Sequence, residues 1–101
     1  RLLQDCQDWV NQRVQWGVPV GKHQSIARKI ALMAADTFAM DSVVWLACAF
    51  ADKANADIRL EAAIAKYFCT ETIWRILDDY IQVRGGRGFE REISLHNRGD
   101  K

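Results

Sequence analysis

Two short stretches carry the residue types that could do chemistry. Gln82-Val-Arg-Gly-Gly-Arg-Gly-Phe89 sets three glycines within four positions, directly after a long apolar-periodic stretch. Glycines so placed stop a helix and let a backbone come close to something flat or charged. Arg13-Val-Gln-Trp-Gly17 puts a guanidinium, an indole and a glycine within five residues. An Arg at a helix end can hold an anion, and a Trp beside it can stack a ring. Each stretch also has a plainer reading. The glycines can be a C-cap and a tight turn. Arg13 can be a solvated side chain next to a hydrophobic plug.

The glycine stretch is not a phosphate-cradling motif of the strand-to-helix kind. In those motifs free N–H groups at a helix N-terminus face the anion. Here the glycines follow a helix, whose end offers carbonyls that repel phosphate. Any ligand contact must come from Gln82 or from turn amides beyond the helix end. Other chemistries find no support. His23 and His96 are the only histidines, and neither has a partner at metal-ligand spacing. Asp78 and Asp79 are adjacent, so on a helix they point about 100° apart and form no acid/base dyad. No Ser–His–Asp or Cys–His arrangement can be argued. Cys6, Cys48 and Cys69 are too far apart for a disulfide framework or a zinc site and read as buried, reduced thiols. Trp9 and Trp45 read as core, and Trp74 as core or interface.

These residues must be positioned by helices. The chain has 101 residues, 50% hydrophobic and 27% charged, which fits one small globular domain. Its net charge of +1 gives no broad basic face for nucleic acid. No apolar run approaches the ~20 residues of a membrane span, so no membrane-spanning segment is expected. Leu2, Leu3, Cys6, Trp9, Val10 and Arg13 step along one face and predict a first helix over about 1–15. Gly17-Val-Pro-Val-Gly21 breaks it. Ile26, Ile30, Met33, Thr37, Met40 and Val44 predict a second helix over about 23–52, with a wide apolar arc. Asp57 is the expected N-cap of a third, over about 57–84, striped by Ala62, Ala65, Cys69, Thr72, Ile76, Tyr80 and Val83. Glu71 and Arg75 are spaced for an ion pair along this helix. The polar residues after Phe89 read as a loop. The fold class is therefore all-α, an up-and-down antiparallel bundle. Three helices leave one side open, so a fourth helix or a partner chain is expected, and the bundle reads as truncated.

With these stretches in order, the chain resembles the C-terminal helical domain of the acyl-CoA dehydrogenases over nearly its whole length. Arg13-Val-Gln-Trp-Gly-Val-Pro-Val-Gly-Lys-His-Gln24 is similar to the family's Arg-x-x-Phe-Gly-x-x-(Ile/Leu)-x-x-x-Gln. Ala31-Leu-Met-Ala34 is similar to the helix that follows. Glu61-Ala-Ala-Ile-Ala-Lys-Tyr-Phe68 resembles Glu-Ala-Ala-Met-Ala-Lys-x-Phe. Gln82 to Phe89 resembles Gln-Ile-x-Gly-Gly-x-Gly-(Tyr/Phe).

The resemblance implies an FAD enzyme that oxidises an acyl-CoA thioester to the trans-2-enoyl-CoA. A carboxylate removes the α-proton while the β-hydrogen leaves as hydride to flavin N5. Electrons then pass to an electron-transfer flavoprotein. It implies a homo-oligomer, dimer or tetramer, in a bacterial cytoplasm or a mitochondrial matrix. Carried over position by position, Arg13 would bind the FAD pyrophosphate. Trp16, replacing Phe, would pack beside the adenosine half. Gln82, Gly85 and Gly86 would hold that half, and Gln24 would lie close. The catalytic base is expected outside this chain, so no catalytic residue is assigned. An acyl-CoA oxidase-like relative and a non-catalytic helical oligomerisation module are the alternatives.

Overall fold

The computed structural model describes residues 1–53 and 55–99. Among these residues the elements are α1 (Leu2–Gln12), a small hairpin of β1 (Val14–Gln15) and β2 (Val18–Pro19), α2 (Gln24–Ala51), α3 (Arg59–Arg84) and α4 (Glu92–Asn97). Short 3-10 turns precede α2 (Val20–Lys22) and follow α3 (Gly85–Phe89). The all-α architecture is the one the periodicity dictates. α2 and α3 run antiparallel: Lys29 pairs with Asp79, and Asp36 with Arg75 at 3.5 Å. At the other end Ala47 and Phe50 face Glu61 and Ile64.

The details depart from the periodicity in several places. The first helix stops at Gln12, because β-branched Val14 and the Trp16-Gly17 pair form a hairpin instead. Asp57 is not the N-cap of α3. Ile58 holds that position, while the Asp57 carboxylate accepts from the Arg59 backbone N–H at 3.2 Å and from its guanidinium at 2.7 Å. The Arg75 guanidinium lies 3.5 Å from Asp36 on α2 and 3.5 Å from the Thr72 hydroxyl of its own helix. The stretch after Phe89, expected as loop, contains α4. A bidentate clasp of Arg98 on Glu90, with one contact at 2.9 Å, ties the end of this short helix to the chain two residues ahead of it.

The core sits at one end. Cys6 and Val10 of α1, Met33 of α2, and Thr72, Ile76 and Val83 of α3 are its buried residues. The molecule measures 58 × 32 × 17 Å, so few side chains can be enclosed on all sides. Trp45 is 76% exposed and Trp74 70%, so neither lies in the core of this chain. Trp45 lies toward the far end of α2, and Trp74 sits exposed between the core residues Thr72 and Ile76. Cys6 is buried but Cys48 is exposed and Cys69 half-buried, which corrects the expectation of three buried thiols. α2 bears on the expectation about membranes by length and composition only. Its length and composition suffice to cross one, because Asp36 and Asp41 are the only charges between Ile30 and Ala51. The same apolar girth suits a helix packed on several sides.

The turn after α3 folds back on its own helix. A Cβ at Gly88 would stand 2.6 Å from the Ile81 carbonyl oxygen, which no side chain permits. A Cβ at Gly86 would meet nothing within 4 Å. Gly88→Ala is therefore expected to destabilise the fold by about 1–3 kcal/mol, the usual cost of overpacking, while Gly86→Ala leaves it unchanged. Urea unfolding of the two variants checks this. Burial pushes the Cys6 thiol above its ordinary value of 9.0, against the opposing pull of the Arg84 charge. The folded state thus favours the protonated thiol. The resulting stability is present below pH 9.0 and is lost as pH rises from there through the folded value. Comparing alkaline unfolding of the native protein with Cys6→Ala, the variant should show the shallower decline.

Candidate cofactor-binding cleft

The hairpin and the glycine turn meet at the core end of the bundle. Trp9 joins them. Its indole Nε1 donates to the Val83 carbonyl at 3.2 Å, tying α1 to the last turn of α3. Gly85 then caps α3 at φ +60, ψ −135, a conformation open to glycine. The chain bends away and leaves an open cleft of about 800 Å³. Arg13, Gln15 and Trp16 of the hairpin form one wall, and Gln82, Gly85, Gly86 and Arg87 the other.

Arg13 is the C-cap of α1, its N–H bonded to the Trp9 carbonyl at 2.9 Å. Its own carbonyl accepts from Val20 at 2.7 Å, which closes the base of the hairpin. Trp16 and Gly17 form the two-residue loop, with φ +50 and +81. Two positive φ values define the type I′ hairpin turn, which favours Asn-Gly. A bulky residue in the left-handed region costs roughly 1–2 kcal/mol. Trp16 is nonetheless 87% exposed, and gains from this chain an edge-on contact with the His23 ring at 5.4 Å. An aromatic plate is thus held out at the cleft mouth against local preference.

Five of the six sequence-derived binding residues line this cleft: Arg13, Trp16, Gln82, Gly85 and Gly86. Gln24 does not, although its neighbours His23 and Ser25 do. Sequence reasoning also passed over Arg84 and Arg87, which line the cleft too. Among the described residues, no Asp or Glu lines it. Three arginines facing one cavity, in a chain of net charge +1, make a local field that favours an anion. His23 Nε2 is enclosed without a hydrogen-bond partner.

The family profile described as "Acyl-CoA dehydrogenase, C-terminal domain" matches residues 1–98. The chain belongs to the acyl-CoA dehydrogenase family. Over 101 residues, all of the chain, it is 44% identical to a probable acyl-CoA dehydrogenase, FadE10, of Mycobacterium tuberculosis, covering 16% of that protein. It is 37% identical over 93 residues (92% of the chain, 24% of the relative) to the probable acyl-CoA dehydrogenase YdiO of Escherichia coli. It is 34% identical over 91 residues (90% of the chain, 14% of the relative) to the very long-chain specific, mitochondrial acyl-CoA dehydrogenase of Mus musculus. The chain thus spans between 14% and 24% of the length of these relatives.

The cleft is the feature of this acyl-CoA dehydrogenase domain that fits a diphosphate-bearing cofactor. Positive charge lines it, and a ligand backbone could pass over Gly86 where a side chain would stand. Trp16→Asn, which suits the left-handed turn, should stabilise the fold by about 1 kcal/mol while weakening ligand binding. Parallel denaturation and flavin-binding titrations of this variant test both halves of the statement.

Proposed function

We propose that this domain binds FAD as part of an acyl-CoA dehydrogenase that oxidises acyl-CoA to the trans-2-enoyl-CoA. The observation that carries the reading is the convergence of Arg13, Trp16, Gln82, Gly85 and Gly86 on one cleft that no Asp or Glu lines among the described residues. Arg13 offers a planar fork of donors suited to a phosphate oxygen pair. Trp16 offers a face for the adenine or ribose end. Gln82, at the last turn of α3, offers both donor and acceptor to the same half. The chemistry that FAD supplies when bound is acceptance of the β-hydrogen as hydride. The residues here bind and orient, and the carboxylate that takes the α-proton belongs elsewhere in the enzyme.

The cleft is open on one side, so the rest of the cofactor's envelope comes from another domain or subunit. An oligomer, dimer or tetramer, suits the exposed aromatics along α2 and α3: Phe38 and Trp45 on one, Tyr67 and Trp74 on the other. The electron acceptor in this reading is an electron-transfer flavoprotein, and the compartment a bacterial cytoplasm or a mitochondrial matrix. The test is Arg13→Ala in the full-length enzyme. Loss of one charge-assisted contact is worth about 1.5–3 kcal/mol, so flavin absorbance per purified protein should fall clearly. Unchanged occupancy overturns the reading, and a parent protein without flavin would favour a non-catalytic helical module.

A further inference from the structure

The family pattern accounts for one arginine of the cleft, yet three line it. Arg84 and Arg87 fall on the open positions of Gln-Ile-x-Gly-Gly-x-Gly, so nothing in the pattern calls for a cation at either. Both guanidinium carbons lie over the Trp9 ring, at 5.1 and 5.3 Å from its centroid, and Arg84 lies 5.5 Å from that of Tyr80. Trp9 is itself fixed by its bond to Val83. Aromatic contact restrains a long side chain that would otherwise lose rotamer freedom on meeting a ligand.

Arg84 and Arg87 stand on the partition between two cavities. On the far side a smaller cleft of about 440 Å³ is lined by Asp5 and Asp8 of α1 and by Arg98, together with the same two arginines. The near side, shared with Arg13, has no acid among its described residues. An anion in the larger cleft therefore meets charge from Arg13, Arg84 and Arg87, the latter two shared with the acid-lined cleft behind them.

We propose that Arg84 and Arg87 form a second phosphate-binding pair, facing Arg13 across the cleft and gripping the diphosphate of FAD. This rests on the flavin reading above and adds two residues to it. The consequence is cofactor retention that depends on charge more steeply than Arg13 alone would make it. Coenzyme A carries the same adenosine-linked diphosphate, so the test must separate the two sources.

Apoprotein of the full-length enzyme is titrated with FAD, following flavin fluorescence, at low salt and at about 1 M NaCl, where the Debye length is about 3 Å. The double variant Arg84→Gln, Arg87→Gln should raise the FAD Kd about 10- to 100-fold at low salt, with most of the difference gone at high salt. Lysine at both positions should restore most of the affinity. Arg87→Gln alone, at an exposed position, should raise Kd about three- to tenfold and serves if the double variant does not fold. Unchanged Kd overturns the proposal. So does a loss that lysine fails to rescue and salt fails to reduce, which would make the arginines mere props for Trp9. An altered KM for acyl-CoA with intact FAD binding also overturns it, assigning the pair to coenzyme A. If Arg13→Ala weakens FAD binding and the double variant does not, this inference fails and the flavin reading stands.

Discussion

One hydrogen bond organises the functional end of this domain: Trp9 Nε1 to the carbonyl of Val83. A bond of this kind contributes only about 1 kcal/mol, but its placement matters more than its strength. It fixes the end of α1 to the end of α3, residues 74 apart in sequence. The hairpin begins five residues after Trp9, and the glycine turn two residues after Val83. Both walls of the cleft therefore hang from the same point. The indole also supplies the surface over which Arg84 and Arg87 lie.

The rest of the molecule is built around that corner rather than around a central core. Cys6, Val10, Met33, Thr72, Ile76 and Val83 are enclosed where α1 lies across the α2–α3 pair. Beyond it the two long helices continue with Trp45, Leu46, Leu60 and Tyr67 open to solvent. Burial of apolar surface is worth about 25 cal/mol per Å², so leaving these aromatics uncovered forgoes considerable stabilisation. In relatives several times longer than this chain, surface of that kind would be material for contact with other domains or subunits.

Much of this was legible in the sequence. The four-and-three spacing of Ile26, Ile30, Met33 and Thr37, and of Thr72, Ile76, Tyr80 and Val83, gave both long helices and their common face. Arg13, Trp16 and the glycines were recognisable by type and order. Other features were hidden for physical reasons. Trp16 occupies a hairpin position where Asn is preferred, so propensity argued for continuing the helix. α4 has only Ile93 and Leu95 as apolar residues, too few to set a period. Trp45 reads as core in any amphipathic plot, since a plot cannot show how far a neighbouring helix extends. Arg84 and Arg87 were overlooked because their role emerges only when Trp9 arrives from the other end of the chain.

The cross-helix ion pairs have a consequence for how the chain tolerates change. Lys29–Asp79 and Asp36–Arg75 lie along the same antiparallel seam, about two turns apart on α2 and one on α3. Sliding α2 along α3 by one turn, 5.4 Å, would break both together. Helix register is thus latched near the cleft and not by the connection at the distant end. That connection is free to lengthen or shorten over evolutionary time, a place where related enzymes can diverge without disturbing the geometry that meets the ligand.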